Sequence, residues 1–179
     1  MTPPPHPITR SKPPYLISTS PTLLSASAIN AAFALPALYW CKPLPLPTLP
    51  TLLSNSLCVG LYIQSPPPTI SSIATAEADE SQYEQIGLAR LITDHVTFAY
   101  LTDVYVLPEH QGQGLGKWLI SAVDEILEGM EVGLRRALLI TGEGVGERFY
   151  ERELGMKRMG GEGGRGLVVM SRKGGGSGF

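Results

Sequence analysis

The sequence predicts a single α/β domain built from six or seven strands and about four helices. Two observations carry this prediction. The chain has 179 residues, a length that suits one domain with a sizeable core. Short runs of β-branched and aromatic residues also alternate with segments of helical periodicity, and glycine or proline residues separate most of them.

Six segments have the composition of strands, because they are rich in branched or aromatic residues and end at turn-forming residues. In chain order these are residues 15–19, 57–64, 86–92, 98–107, 136–141 and 166–171. The short connection after the third segment contains Asp94, a natural turn residue.

Four segments are predicted to be helices. The first begins at Ser20, which offers a capping hydroxyl, followed by Pro21 at the first helical position, and it breaks near Pro36. Within it, Ile29 and Phe33 fall on one face. The other three helices are predicted at residues 48–55, 115–130 and 145–154.

The domain is predicted to span residues 15–173. Two terminal segments lie outside it, and one internal segment is predicted to be an unpacked insertion within it. Residues 1–14 form a proline-rich arm that we expect to be disordered. Residues 65–84 have turn and disorder composition and are predicted to be a flexible insertion at the tip of a hairpin. Residues 174–179 form a glycine-rich tail.

Overall charge and cysteine content limit the class of protein. The net charge is −2 and the pI is about 5.9, so the balance does not point to a nucleic-acid partner. Cys41 and Cys58 lie in apolar surroundings without CxxC spacing, which predicts free thiols in a reducing compartment and therefore a cytoplasmic protein. The three histidines add no metal-binding pattern.

Residues 22–41 raise the alternative of a signal or membrane segment, since Arg10 and Lys12 precede a long uncharged stretch. Much of its apolar content is alanine, and it includes several polar or helix-breaking residues, namely Thr22, Ser25, Ser27, Asn30 and Pro36. We favour a core helix and no membrane attachment. Purification without detergent would separate the two interpretations.

Residues 111–117, with the sequence QGQGLGK, combine three glycines with the start of an amphipathic helix. A helix start leaves about four main-chain N–H groups unpaired and carries partial positive charge. The helix start at residues 111–117 has no capping Ser, Thr or Asp, and Lys117 adds further positive charge to it. The pattern predicts that main-chain N–H groups bind an external phosphate. The alternative is that the glycines only shape a tight turn.

Two nucleotide-binding motifs do not fit this loop. A P-loop requires GxxxxGK[ST], but Gln111 stands at the first glycine position and Trp118 follows the lysine. A dinucleotide fingerprint requires GxGxxG and a second strand with an acidic residue about twenty residues on, and here the next segment is a helix.

The segment Gln111-Gly112-Gln113-Gly114-Leu115-Gly116 resembles the Q/R-x-x-G-x-G/A signature of the GCN5-related N-acetyltransferase (GNAT) superfamily. In that family the signature lies between the fourth strand and a helix, as it does here. The later segment ERFYERELGMKRM is similar to the FYxxxGF segment of the family. The similarity covers about residues 57–173.

The resemblance implies an α/β (α+β) fold with a central mixed, mostly antiparallel sheet that splays where the cofactor enters. It implies that the chain transfers an acetyl group from acetyl-CoA to a primary amine by direct attack on the thioester. A small-molecule amine is the expected acceptor, and a protein N-terminus, a small alkylamine and an amino-acid-like metabolite all stay open as its identity. The alternative is a non-catalytic acyl-CoA-binding module that acts through protein partners. Homodimers are common in the family, so the resemblance also allows a homodimer.

The resemblance also assigns the cofactor-binding residues. The pantetheine arm is expected to pair with the backbone of Val104, Tyr105 and Val106, and an N–H group there to polarise the thioester carbonyl. The pyrophosphate is expected on the main-chain N–H groups of Gln111, Gly112, Gln113, Gly114, Leu115, Gly116 and Lys117. Gln111 and Gln113 stand where basic residues are common in the family.

Two residues are predicted to be catalytic. Tyr150 aligns with the tyrosine general acid of the family; the alternative is an aromatic side chain that packs beside Phe149 and Leu154. Asp103 is the predicted base, because a carboxylate in the middle of an apolar strand is costly unless it has a role. Its alternative is a carboxylate hydrogen-bonded to neighbouring backbone near a bulge.

The acceptor is predicted to contact an aromatic wall, although each of its members could equally belong to the core. The four residues are Tyr39, Trp40, Phe98 and Tyr100.

Overall fold

The computed structural model describes residues 8–65, 82–130, 132–160 and 166–176. Within these residues, eight strands form one sheet in the order β1-β2-β3-β4-β5-β6-β8-β7. The strands are β1 (Thr9–Lys12), β2 (Tyr15–Ser18), β3 (Leu57–Gln64), β4 (Tyr83–Thr93), β5 (Phe98–Val106), β6 (Arg136–Gly142), β7 (Lys157–Arg158) and β8 (Leu167–Arg172). The sheet is mixed: β5 and β6 are parallel and the other neighbours are antiparallel.

The described residues also contain four α-helices, as predicted. They are α1 (Ala26–Phe33), α2 (Leu49–Ser54), α3 (Leu115–Gly129) and α4 (Val145–Leu154). Helices α3 and α4 pack on one side of the sheet around a large apolar core, and α1 packs on the opposite side. The apolar stripe of α3 is buried, as its periodicity predicted. Ile29 and Phe33 of α1 are buried together, which confirms their shared face.

Helix α1 begins five residues later than predicted. Residues Pro21–Leu23 form a short 3-10 turn, and the side chain of Ser20 caps no backbone N–H group there. The capping residue is Ser25, whose Oγ accepts a hydrogen bond from the Ala28 N–H at 3.2 Å. The start predicted at Ser20 is therefore wrong. The break near Pro36 is confirmed, because α1 ends at Phe33 and a second 3-10 turn follows.

The sheet has more strands than the six or seven predicted. Strand β1 lies inside the arm that we expected to be disordered; residues 1–7 of that arm lie outside the described residues. It pairs with β2 over four residue pairs, and the Ile8 N–H donates to Thr19 Oγ1 at 2.8 Å. Strand β7 has two residues, too few for a hydrophobic pattern to predict.

The hairpin of β3 and β4 has the predicted arrangement. Its antiparallel register runs from Leu57↔Leu91 to Gln64↔Tyr83, so the predicted insertion lies at its tip. Residues 66–81 of the insertion lie outside the described residues. The start of the predicted flexible tail is instead packed. Gly174 is buried and the Gly176 N–H donates to the Leu134 carbonyl at 3.1 Å, while residues 177–179 are not described.

Cys41 and Cys58 are free thiols, the first half-buried and the second buried. In the part of the chain that the structure describes, no helix is both long enough and apolar enough to cross a membrane.

Candidate active site

The central feature of the site is a split between β5 and β6. These strands pair over four residues, from Phe98↔Arg136 to Leu101↔Leu139. Past this point β5 remains paired with β4, up to Gly87↔Val106, and β6 remains paired with β8. The last five residues of β5 therefore present a strand edge to the split. Such an edge can accept an extended ligand through main-chain hydrogen bonds.

A β-bulge in β5 lies at the split. Leu88 pairs with Tyr105 and Arg90 pairs with Thr102, so the one residue between them on β4 opposes both Asp103 and Val104. Asp103 adopts a positive φ of 49°. A bulge of this kind bends its strand and increases its twist. We infer that it turns the end of β5 away from β6.

A mostly buried ion pair spans the bulge. Arg90 Nε lies 2.7 Å from Asp103 Oδ2, and the two side chains are 12% and 11% exposed. Arg90 also donates to Ser56 Oγ at 2.9 Å, and the Thr102 hydroxyl lies 3.3 Å from Asp103 Oδ1. The predicted base is therefore fixed in place with both carboxylate oxygens in contact with neighbouring side chains.

The glycine loop after β5 leaves the start of α3 open. Gly114 is the N-terminal capping residue, with a φ of 77°, and α3 has neither a side-chain cap nor an acidic residue in its first turn. Apart from the chain neighbours and the helix's own backbone, no protein atom lies within 4 Å of the position that a Cβ would occupy at Gly112, Gly114 or Gly116. Unpaired N–H groups, the positive helix end and open space together suit a phosphate.

Two side chains hold this loop in place. Gln111 Nε2 donates to the Val106 carbonyl at 2.8 Å, which ties the loop to the end of β5. The Tyr15 hydroxyl donates to Gln113 Oε1 at 2.8 Å. The Gln113 side chain therefore binds β2 instead of facing the ligand site.

A cavity of about 620 Å³ connects the strand edge, the glycine loop and α4. This volume is typical of small-molecule sites. Its walls include nine of the ten residues predicted to bind the cofactor, all but Gln113. They are Val104, Tyr105, Val106, Gln111, Gly112, Gly114, Leu115, Gly116 and Lys117.

Tyr150 also lines this cavity, from the first turns of α4. Its ring packs edge-on against Phe149, with 5.1 Å between the centroids. Burial raises the pKa of the Tyr150 phenol to about 12. Tyr150 is therefore protonated at neutral pH and can donate a proton.

The four predicted acceptor aromatics do not form one wall. Trp40 lines the cavity, and Tyr39 packs edge-on against it with 5.3 Å between centroids. Phe98 and Tyr100 are absent from the described cavity walls. Phe98 lies at the opposite end of β5, six residues before Val104, or about 20 Å at roughly 3.3 Å per residue.

Six further residues line the cavity without having been assigned to it as site residues. They are Ala37, Leu38, Thr141, Val145, Gly146 and Phe149. The glycine-rich run TGEGVG, which extends from the end of β6 into the start of α4, was a signal for three of them. Lys117 is the one charged residue among the described walls, and its Nζ lies 3.7 Å from Glu153 Oε2.

The family follows from comparison with known proteins. Residues 45–156, more than half of the chain, match the model of the acetyltransferase (GNAT) family. The chain belongs to the GNAT acetyltransferase family. It is 43% identical over 143 residues to a provisionally named acetyltransferase of Gibberella zeae, covering 80% of this chain and 79% of that one. It is 36% identical over 93 residues to the chloroplastic GCN5-related N-acetyltransferase 2 of Arabidopsis thaliana, covering 50% and 36%.

Solved structures agree with this assignment. A protein of Xanthomonas campestris pv. campestris described as belonging to the GNAT family has a TM-score of 0.57 and 32% identity, covering 79% of this chain and 84% of that one. The ribosomal-protein-S18-alanine N-acetyltransferase of Escherichia coli shares the fold, with a TM-score of 0.55, 18% identity and coverage of 89% and 93%.

This GNAT chain is therefore an N-acetyltransferase, and the predicted family and enzyme class are confirmed. Family membership supports acyl transfer from acetyl-CoA or a related acyl-CoA to an amine, and it does not favour the non-catalytic alternative. The predicted α/β architecture with a mixed sheet is confirmed as well, with eight strands and four helices in the described residues.

Proposed function

We propose that this enzyme transfers the acetyl group of acetyl-CoA to the primary amine of a small molecule. One observation carries the proposal: a single cavity joins an open strand edge, a phosphate-type helix start and a protonated tyrosine. These are the groups needed to align a thioester, hold its diphosphate and protonate a leaving thiolate.

The donor is proposed to bind along the cavity from the glycine loop to the split. Main-chain N–H groups of residues 112–117 would hold the pyrophosphate, with Lys117 adding positive charge. The Gln111 N–H, which was also predicted to bind it, instead donates to the Pro108 carbonyl at 3.2 Å. The backbone of Val104, Tyr105 and Val106 would pair with the pantetheine arm, as a neighbouring strand would. A main-chain N–H group in this segment would then polarise the thioester carbonyl.

The chemistry assigned to Tyr150 is proton donation. The neutral amine attacks the thioester carbonyl carbon, a C–N bond forms and the C–S bond breaks. The nitrogen gives its extra proton to the base, which passes it to solvent. The departing sulfur takes the proton of the Tyr150 hydroxyl, and the tyrosinate recovers a proton from solvent. The Tyr150 hydroxyl, whose pKa is raised by burial, is protonated at the start of each turnover.

The base that we propose is Asp103, which lies beside the cavity and not on its described walls. Burial and the nearby Asp103 charge raise the pKa values of Tyr105, a cavity wall, and of Cys41. The charge of Asp103 therefore acts on a residue of the cavity wall, and we place the reacting amine near that wall. Arg90 already pairs with this carboxylate, so the experiment must distinguish a role of Asp103 as the base from a role in holding the bulge in place.

The proposed acceptor is a small amine with an apolar or aromatic body. The described cavity walls contain no carboxylate, while Leu38, Trp40 and Tyr105 give that region an apolar surface. A polyamine, which carries several positive charges, would find no counter-charge on these walls. A cytoplasmic location is part of the proposal and rests on the two free thiols, which suit a reducing compartment.

The test begins with acetyl-CoA binding by calorimetry, followed by a screen of small amines. In the Tyr150→Phe variant we expect kcat to fall about 10²- to 10⁴-fold with unchanged acetyl-CoA affinity. Tyr100→Phe is the matched control, because it removes a phenol from the same domain away from the cavity walls. Normal turnover by Tyr150→Phe would reject the assigned role.

The base is tested with a pair of variants at one temperature below both unfolding transitions. Asp103→Asn removes the carboxylate, whereas Arg90→Gln removes its partner and leaves the carboxylate charged. If Asp103 is the base, only Asp103→Asn loses about 10²- to 10⁴-fold in rate. Equal losses in both variants would show instead that the ion pair supports the bulge.

A further inference from the structure

The hairpin of β1 and β2 lies beside the glycine loop. Lys12 pairs with Tyr15 next to the turn between the two strands. The Tyr15 hydroxyl donates to Gln113 Oε1 at 2.8 Å. The Nζ atom of Lys12 lies 5.6 Å from the centre of the Trp118 ring, one turn into α3. The tip of the hairpin therefore contacts both the loop and the helix start that are proposed to hold the pyrophosphate.

Further contacts fix the hairpin along α3. Arg10 donates to Ser121 Oγ at 2.8 Å and forms an ion pair with Glu125. These two partners lie farther along the helix than Trp118, so β1 runs beside α3 with Lys12 at the end nearest the loop. The position of Lys12 is thus set by strand pairing on one side and by the helix on the other.

Lys12 and the cavity lie on different sides of the helix start. Lys117, a cavity wall, is directed to α4, where its Nζ lies 3.7 Å from Glu153 Oε2. Gln113, which binds the hairpin, is absent from the described cavity walls. The glycine loop therefore lies between the hairpin and the cavity.

The positive charges around the loop differ in how they are compensated. Arg10 and Lys117 are each paired with a glutamate. Lys12 is exposed, and within the described ranges no carboxylate forms an ion pair with it. Its contact with Trp118 is a cation–π interaction, which restricts the ammonium group without neutralising it. An anion on the outer side of the loop would meet this charge unpaired and held in place.

The donor carries such an anion. In acetyl-CoA the pyrophosphate joins the pantetheine arm to a ribose, and that ribose bears a 3′-phosphate. A phosphate monoester has a charge of about −1.5 to −2 at pH 7. If the pantetheine arm runs from the loop into the cavity, as proposed, the ribose leaves the loop on its outer side. The unpaired ammonium group of the hairpin is therefore on the side where we expect the 3′-phosphate.

We propose that Lys12 binds the 3′-phosphate of acyl-CoA and thereby selects the donor. The inference rests on the proposed function, because it takes the pyrophosphate to lie on residues 112–117. Lys12 would add affinity only to a donor with a 3′-phosphate, so the enzyme would prefer acetyl-CoA to 3′-dephospho-acetyl-CoA. We expect a preference of about 3- to 10-fold, since a charge-assisted contact with phosphate is stronger than a typical exposed ion pair.

The experiment compares the affinities of acetyl-CoA and 3′-dephospho-acetyl-CoA for the full chain by calorimetry. The wild type should bind acetyl-CoA about 3- to 10-fold more tightly, and added salt should reduce this preference. Lys12→Gln, which removes the charge, should bind the two ligands equally, whereas Lys12→Arg should keep the preference. Lys42→Gln is the matched control, because it removes the same charge from an exposed residue between α1 and α2 that is off the described cavity walls. It should keep the wild-type preference.

Three results would overturn the proposal. The first is a wild type that binds the two ligands equally. The second is a full preference in Lys12→Gln, including the case in which a loosened hairpin weakens both ligands alike. The third is loss of the preference in Lys42→Gln, which would reveal a general effect of net charge. Binding of neither ligand by the wild type would reject the proposed function itself, and this inference with it.

Discussion

Replacing Gly116 by leucine should make the protein more stable and a weaker binder of acetyl-CoA. Gly116 lies in the first turn of α3, and apart from its chain neighbours and the helix's own backbone no protein atom lies within 4 Å of its Cβ position. Leucine, which is close to alanine in helix propensity, is favoured over glycine in a helix by about 0.5–1 kcal/mol. For a domain of this size that gain corresponds to a Tm increase of about 1–4 °C.

The same side chain should obstruct the phosphate, because the family signature allows only glycine or alanine at this position. The open space around Gly116 is where the proposal places the pyrophosphate on main-chain N–H groups. A hydrogen bond to a charged group contributes about 1.5–3 kcal/mol, so losing one should weaken acetyl-CoA binding about 10- to 100-fold. Thermal unfolding of the free protein and calorimetric titration measure the two effects separately.

Gly129→Leu is the matched control, because Gly129 ends the same helix and its Cβ position is equally open. It should raise Tm by a similar amount and leave acetyl-CoA affinity unchanged. Wild-type affinity in the Gly116→Leu variant would refute phosphate binding at this helix start. A fall in its Tm would refute the conformational argument.

Two further predictions concern stability. Hydrogen bonds from the Thr97 hydroxyl and from main-chain N–H groups of the turn hold the pKa of Asp94 well below its ordinary value of 3.8. Because the pKa of Asp94 is lower in the folded state than in the unfolded state, this stabilisation is present above pH 3.8 and is lost as the pH falls further. The Tm of the Asp94→Asn variant should therefore fall less steeply with acid than the Tm of the wild type. Parallel plots of Tm against pH for the two proteins would contradict this. A Cβ on Gly60 would lie 2.1 Å from the Tyr62 hydroxyl. Gly60→Ala should therefore lower the free energy of unfolding, measured in urea, by about 1–3 kcal/mol. The second substitution Tyr62→Leu should restore part of that loss. If it restores none, the clash with the Tyr62 ring is excluded as the cause.

The parts of the fold that local pattern specifies could be predicted from the sequence. Strand β3 and helix α4 have the predicted bounds, because an apolar run and an amphipathic period fix them without distant partners. The glycine loop was predictable for the same reason. Its missing cap and its glycines are visible in seven consecutive residues.

Features that depend on distant partners could not be predicted. Nothing near Arg90 in the sequence indicates its ion pair with Asp103 thirteen residues later, and only the register of β4 and β5 brings them together. Phe98 and Tyr100 were grouped with Trp40 by aromatic character alone. Their distance from the cavity follows from the direction of β5, which composition does not contain. Strand β1 depends in the same way on the neighbouring strand β2.

The short pairing between β5 and β6 limits how firmly the two parts of the sheet are held together. Four residue pairs are the direct link in the sheet between a five-stranded part and a three-stranded part. Denaturant or mechanical load that separates these two parts of the sheet acts on those four pairs. A donor bound along the open edge would stabilise the folded state by RT ln(1 + [L]/Kd), so the gain grows with the concentration of free donor. The resistance of this enzyme to unfolding would then rise and fall with the supply of its own substrate.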